Sequence, residues 1–525
     1  MVETNSLDLY PRSRCPIEKR MKQSDKIKEI EELANELALF RLKGKKIVHC
    51  HGVFDILHLG HIKHFQTAKS YGDILIVSVT SDEFINKGLK RPFFNEKQRA
   101  EMLSNLSCID YVCVNNDFTP INLIKKIKPS YYVKGNDYKD LSDDITKNIV
   151  KEKKAIEEVN GELKYTNEIQ FSSSSILNGK IFSSDTCNYL KDFSSRFSAK
   201  KIIEYFDNLK KYRVLVIGEA IIDEYYYGHS LGKSGKHPIV AFKLENLEHY
   251  LGGSLAIANH LSEFVNVDLI TAINKSNIQL ITQKISSNIN TYFFNSLNNP
   301  TIIKRRYIEN NQKIFETYTT NYNRIDKKSE NLIIENLRNN IKSYDIVLIT
   351  DFGHGLLTRK IREFLKENSK YLVLNAQINA GNMGYNTIRK YWDRKDNIFL
   401  SLDKNELQAA ISDKYDYPYD INQILHNEFS NTDKIAITKG SEGCVYYSKN
   451  SSIEEIPAFT NQIEDTVGAG DAFLALSSLC ILNEKAIPWL GFVGNVAGAL
   501  AVSYSGNEKH ITKKELFGFI ETLLK

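Results

Sequence analysis

Gly52-Val-Phe-Asp-Ile-Leu-His-Leu-Gly-His61 decides how the first half of this chain is read. It follows an apolar run, Ile47-Val48-His49-Cys50, and leads into a helical pattern beginning near His61. Strand, glycine-containing turn and helix in that order place unpaired amides and the positive end of a helix dipole at the turn, which suits a phosphate. Two imidazoles spaced His-x-Gly-His at that mouth can hydrogen-bond the oxygens of a phosphate under attack. Gly60 leaves room for a triphosphate to approach the backbone. Two histidines three apart also cap a helix without any chemistry. The context favours phosphate chemistry, because Phe54 and Asp55 complete Gly-x-Phe-Asp-x-x-His-x-Gly-His and supporting segments follow.

Around this stretch, strand and helix signals alternate from Ile47 to Val133, which predicts a parallel sheet with helices on both faces and ligands at the carboxyl ends of its strands. Residues 1–23 read as a loose polar arm. The spacing of Ile27, Ile30, Leu33, Leu37 and Phe40 predicts one helix with Ser24 as its N-cap. Three later segments bear on the site. Lys87-Gly-Leu-Lys-Arg-Pro92, with Arg99 beyond it, supplies cations for phosphates. Tyr132-Val-Lys-Gly-Asn-Asp-Tyr138 puts Lys134 and Asp137 just after a strand, and Phe171-Ser-Ser-Ser-Ser-Ile176 offers hydroxyls at a helix start.

In this order the segments resemble the cytidylyltransferase-like nucleotidyltransferases, and within them the adenylyltransferase half of the ADP-heptose synthase family, whose segments read K-G-x-x-R-P, V-K-G-x-D-Y and S-T-T-x-I-I. The resemblance covers about residues 45–180. It implies that His58 and His61 stabilise the transferring α-phosphate and Lys87 the departing pyrophosphate. It also implies that Ser172, Ser173, Ser174 and Ser175 bind nucleotide phosphates, with Gly52, Phe54, Asp55, Gly60, Arg99, Lys134 and Asp137 around the nucleotide. Nothing in the first motif separates ATP from CTP.

Residues 181–211, rich in Ser, Lys and Asn, read as a linker, and Tyr212 begins a second domain running to residue 525. Its decisive element is Asp465-Thr-Val-Gly-Ala-Gly-Asp471, opening an apolar helix. The glycines expose amides at a helix N-terminus as an anion hole, and an aspartate at the end of that hole can accept a proton from an attacking hydroxyl. Asp-Thr-x-Gly-Ala-Gly-Asp resembles the signature of the ribokinase-like, PfkB-type sugar kinases. The expected fold class is therefore α/β, with two doubly wound domains: a Rossmann-like nucleotidyltransferase and a ribokinase-like kinase with a small β lid. By the resemblance Asp471 is the catalytic base and Gly468, Ala469 and Gly470 form the anion hole. Lys439, Gly440, Gly443 and Asn495 lie near ATP, and Asp223, Gly252, Gly253, Lys304 and Arg306 near the sugar. Glu406 organises Mg²⁺ through water, and the lid builds a homodimer.

The sequence departs from the ADP-heptose synthase family in several places. Domain order is inverted. An asparagine of the sugar segment is Ala256, an acidic loop reads Ser234-Gly-Lys-His-Pro238, Asp-Pro-Lys-Gly reads Asn375-Ala-Gln-Ile378, and Asp403 replaces the asparagine of Asn-x-x-Glu. The expected activity is a sugar 1-kinase coupled to a sugar 1-phosphate adenylyltransferase, on a heptose 7-phosphate or similar acceptor, for an envelope glycan. The alternative is a nucleotidyltransferase, with CTP as a candidate nucleotide and a polyol phosphate as acceptor, carrying a kinase-like binding or dimerisation module. Composition agrees with an enzyme of small molecules. A net charge of +5 among 69 basic and 64 acidic residues points to neither nucleic acid nor membrane. Seven scattered cysteines without a Cys-x-x-Cys pair favour the cytoplasm, and no apolar run is long enough to span a bilayer.

Overall fold

A computed structural model describes residues 23–85, 91–135, 148–166, 181–295, 301–320, 324–382, 384–394, 396–412, 414, 419–449, 451–460 and 463–525. The chain forms two compact units that divide near residue 173.

In the first unit, β1 (Ile47–Gly52), β2 (Ile74–Thr80), β3 (Tyr111–Asn115), β4 (Tyr131–Gly135) and β5 (Glu162–Thr166) form a parallel sheet ordered β3-β2-β1-β4-β5. Because side chains alternate across a strand, Val48, Leu75 and Val77 meet Phe65 and Leu103 in one apolar cluster, while Ile47 and Ile76 meet Leu33, Leu37 and Leu123 in another. Strand order reverses beside β1, and this opens a crevice at its carboxyl end, where the His-x-Gly-His turn lies. The single helix expected from Ser24 is two, Gln23–Lys26 and Ile30–Leu42. Between them Ile27 bridges to Val112, and the Lys28 amide donates to the Val112 carbonyl at 2.9 Å. Pairing with the sheet edge satisfies backbone groups that a continuous helix would have bonded internally, and Glu29 rather than Ser24 occupies the N-cap.

The second unit holds a nine-stranded sheet: β6 (Arg213–Gly218), β9 (Asn266–Ile273), β10 (Ile289–Asn295), β13 (Ile346–Asp351), β14 (Leu372–Ala376), β15 (Ile398–Asp403), β16 (Lys434–Thr438), β17 (Cys444–Ser448) and β18 (Glu454–Ile456), ordered β10-β9-β6-β13-β14-β15-β16-β17-β18. It is parallel from β10 to β16 and antiparallel at β17 and β18, since Lys439–Gly443 is too short for a crossover. A four-stranded lid, β12-β11-β7-β8, is made of β7 (Ala220–Lys233), β8 (Val240–Gly253), β11 (Ile302–Glu309) and β12 (Gln312–Thr319). The lid carries stacked aromatics, with Tyr307 4.2 Å from Phe315 and 4.9 Å from Tyr226 between ring centroids.

The expected linker is part of this unit. Helices Ser184–Arg196 and Ala199–Asp207 are capped by Ser183 and Ser198, whose side chains accept from the amides of Thr186 and Lys201. Leu190 and Phe193, then Ile202, Ile203 and Phe206, recur at helical spacing and are buried. Phe193 stacks on Phe492 at 4.2 Å, and the Tyr205 hydroxyl donates to the Leu479 carbonyl at 2.6 Å. The polar residues that suggested a linker are the outer faces of amphipathic helices. Among the described residues, no helix is long and apolar enough to cross a membrane.

Candidate active sites

In the first unit the helix after β1 begins at Leu59, with His58 as N-cap. The His58 Nδ1 accepts from the His61 amide at 3.4 Å, and the two rings stack 3.8 Å apart. Burial lowers the pKa of His58, so its imidazole is neutral at physiological pH. With Nδ1 accepting, Nε2 carries the hydrogen and acts as a donor. Phe54, at φ 50°, turns its ring edge-on to His61 at 5.3 Å. A Cβ on Gly52 would stand 2.9 Å from that ring, so this glycine answers to Phe54. Gly60 is buried in the first turn of the helix.

Two residues expected at the nucleotide make hydrogen bonds within the protein. The fully buried Arg99 donates to the carbonyls of Phe94 (2.9 Å), Val53 (2.6 Å) and Thr80 (2.8 Å) and to Asp82 (2.6 Å), which ties the β1 turn to the end of β2. Asp55 accepts from the amides of Phe93 (2.6 Å) and Phe94 (3.0 Å), fixing the loop that follows the first cationic segment. Lys134 forms a buried ion pair with Glu152 at 3.1 Å. Lys87, Asp137, Ser172, Ser173, Ser174 and Ser175 lie outside the described residues. Sequence reading passed over His49 and His51, which share the Ser78 hydroxyl at 2.8 Å each beneath the turn. Burial and then the Lys134 charge hold His49 neutral, with its pKa lowered to about 3.

In the second unit two cavities flank the glycine turn. One, of about 490 Å³, is lined by Lys439, Gly440, Gly443, Ala469, Phe473 and Asn495 among others. The other, of about 280 Å³, is lined by Asp223, Gly253, Lys304, Arg306, Gln377 and Asp471 among others. They share Asp403, Thr438, Thr466 and Gly470. The helix Ala469–Leu479 starts at this shared wall with Gly468, at φ 88°, as its N-cap. A Cβ on Gly468 would meet the Asn507 side chain at 2.1 Å. Asp471 is pushed up to about 7, first by burial and then by the charge of Asp223, against Lys304 and a 3.3 Å hydrogen bond from the Gln377 amide. Arg306 pairs with the buried Asp223. Gly252 stands where a Cβ would press within 2.3 Å of the Asp223 carboxylate, so it makes room for that aspartate. Lys304 lies over the rings of Tyr318 and Phe352 at 5.8 Å, and its pKa is lowered, chiefly by burial. Asn495 donates to the carbonyls of Ile456 (3.0 Å) and Pro457 (2.9 Å), shaping the edge of the larger cavity. The Lys439 ammonium pairs with Glu455 at 3.1 Å.

Residues 211–514 match the pfkB family carbohydrate kinases, more than half the chain. The chain belongs to the pfkB family of carbohydrate kinases. Residues 49–179 match the cytidylyltransferase-like family, so a nucleotidyltransferase domain precedes the pfkB domain, in the reverse of the usual order. The chain is similar to Bifunctional protein HldE of Geobacter metallireducens, 47% identical over 115 residues, or 22% of this chain and 24% of that protein. It is also similar to Bifunctional protein HldE of Aliarcobacter butzleri, 42% identical over 137 residues, or 26% and 29% respectively. The chain thus spans about a quarter of the length of these curated relatives. The crystal structure of Phosphofructokinase-2 from Escherichia coli overlays with a TM-score of 0.50 at 10% identity, covering 60% of this chain and all of that one, a likeness of fold.

The second unit also makes contacts that its motifs did not disclose. Asp465 accepts from the Tyr225 hydroxyl (2.6 Å) and from the amides of Val467 and Gly506 (3.0 Å each), and pairs with Lys313 of the lid. Glu219 accepts from the amides of Phe352 (3.0 Å), His354 (3.2 Å) and Leu356 (3.3 Å), which positions the loop after β13. Tyr225 and Lys313 stand more than a hundred residues from Asp465, as Phe352, His354 and Leu356 do from Glu219, and no local pattern marks these meetings. The family implies Mg²⁺. Asp403 and Glu406 form a capping box on the cavity wall, with Asn375 donating to Glu406 at 3.1 Å. Burial, then the Asp403 charge, pushes Glu406 up to about 8, an environment that a divalent cation would relieve. The pair therefore fits a water-mediated magnesium site.

Proposed function

We propose that the protein is a bifunctional enzyme. Its pfkB domain transfers the γ-phosphoryl group of ATP to the anomeric hydroxyl of a sugar or sugar phosphate. Its first domain then joins the sugar 1-phosphate to the α-phosphate of a nucleoside triphosphate and releases pyrophosphate. The observation that carries this reading is the pair of cavities meeting at Thr466 and Gly470, with Asp471 facing the smaller one. ATP occupies the larger cavity with its phosphates toward the helix N-terminus, and the sugar lies under the lid. Asp471 takes the proton of the attacking hydroxyl while the amides at Gly468–Gly470 hold the phosphoryl oxygens. When bound, Mg²⁺ supplies charge neutralisation of the ATP oxygens, and Asp403 and Glu406 hold its water shell. Lys304 gives the sugar cavity a cation suited to a phosphorylated acceptor, while Arg306 is paired with Asp223.

In the first domain, the neutral His58 and its stacked partner His61 donate to the α-phosphate as charge develops. The likeness to HldE proteins, together with the ADP-heptose synthase motifs, makes a heptose 7-phosphate and ATP the favoured substrates, in the cytosol where both are available. The exposed Phe315 and Leu244 of the lid support a homodimer through it. The test is to incubate the protein with ATP or CTP, Mg²⁺ and a panel of sugars, heptose 7-phosphates and polyol phosphates, following ADP and pyrophosphate separately. ADP followed by pyrophosphate on one acceptor supports the reading. Pyrophosphate alone, from a ready-made phosphate, would instead mean a transferase with a silent kinase domain.

A further inference from the structure

The connection after β14 is rich in asparagine, Asn375-Ala-Gln-Ile-Asn-Ala-Gly-Asn382 followed by Asn386, and it converges on one residue. The Gln377 amide donates to the Asp351 carbonyl at 2.9 Å. Its carbonyl accepts from the buried side-chain amides of Asn382 (2.8 Å) and Asn386 (3.1 Å). Those asparagines also donate to the carbonyls of Phe352 and Asp351 at the end of β13. A loop without regular structure is thereby fixed at its first residues, and the Gln377 side chain reaches into the acceptor cavity, 3.3 Å from the Asp471 Oδ1.

We propose that Gln377, held by Asn382 and Asn386, is a positioning residue for Asp471. It engages Oδ1 and leaves Oδ2 to receive the proton of the acceptor hydroxyl. This inference rests on the reading of Asp471 as the kinase base. Among the described residues, the charged and polar side chains that bear on Asp471 each come from a different element: Asp223 from β7, Lys304 from β11, and Gln377 from the asparagine-fixed loop. Arg306, also on β11, stands behind Asp223. Lys304 and Gln377 favour the carboxylate, whereas Asp223 and burial favour the acid. Gln377 is the neutral member of the set and the one whose contact is directional, so it sets orientation as well as charge. An amide donor lost from a carboxylate raises the pKa of that carboxylate.

The test uses full-length protein with aspartate labelled by ¹³C at the carboxyl carbon, with Asp471→Asn identifying the resonance. Gln377→Met keeps the side-chain length and removes the donor. The Asp471 midpoint should rise by about one pH unit, the size of one hydrogen bond to a charged group. Asn382→Ala, which loosens the support, should move it the same way by less. A midpoint unchanged in both folded variants overturns the proposal whether or not the kinase reading holds. With ATP, Mg²⁺ and a heptose 7-phosphate, the acid limb of the Gln377→Met turnover profile should move up in step and the KM for ATP should stay constant. Absence of ADP from wild-type protein would count against the kinase reading, while the carboxyl midpoint still judges the contact.

Discussion

Asp471 and Glu406 illustrate how single residues are set by surroundings that the sequence does not display. Both are buried carboxylates, raised to about 7 and about 8 from ordinary values of 3.8 and 4.5. In the unfolded chain they lose their protons near pH 4, whereas in the folded chain they keep them until near neutrality. Between those limits the native state binds more protons, so stability falls as pH rises from about 4.5 to about 8. In metal-free buffer, thermal melting should occur at higher temperature at pH 6 than at pH 8.5, and Glu406→Gln should flatten the difference. An equally steep dependence in that variant would place the titrating group elsewhere. The same residue scale separates the two chemistries. Asp471→Asn should lower ATP-dependent sugar phosphorylation by about 10²–10⁴-fold, the contribution of a general base, and leave nucleotidyl transfer intact. His61→Ala should do the reverse. Loss of both activities in either folded variant would refute two independent sites.

Among the elements, the two helices before β6 carry the least expected role. Phe193 contributes a fully buried ring stacked against Phe492. Phe193→Ala should therefore destabilise the kinase unit by about 3–5 kcal/mol, the cost of emptying a buried aromatic site, as read by urea unfolding. A kinase fragment beginning at residue 181 should fold, whereas one beginning at Tyr212, where the strand pattern starts, should expose the face that these helices cover and aggregate. Equal solubility of the two fragments would show that the helices are dispensable. The amphipathic spacing of Ile202, Ile203 and Phe206 was available in the sequence, but serine and lysine on the outer faces masked it.

At the scale of the whole molecule, the lid leaves Leu244 47% exposed, and Phe315, stacked on Tyr307, 48% exposed. Exposed aromatic surface of this kind is costly in water and suits a symmetric partner. Sedimentation should find a dimer, and Phe315→Glu should shift it to monomer. A wild-type monomer at micromolar concentration would remove the lid from the account of assembly. Under the proposed function the fusion has a chemical logic, because the sugar 1-phosphate made by one domain would be the nucleophile required by the other.

The sequence by itself determined both α/β architectures, because alternating apolar strands and glycine turns at helix starts are local patterns with local causes. It also singled out His58, His61, Gly468 and Asp471, since an anion site at a helix N-terminus is built from consecutive residues. The tertiary structure decided what those motifs could not contain. It gave Arg99 and Asp55, both expected around the nucleotide, internal hydrogen bonds to carbonyls and amides from distant turns. It brought Asp223, Lys304 and Gln377 to Asp471 from positions 248 to 94 residues earlier in the chain, at whose own sites nothing marks the meeting. Local sequence specifies backbone geometry, whereas the charge and hydrogen bonding of a buried carboxylate depend on what the fold packs around it.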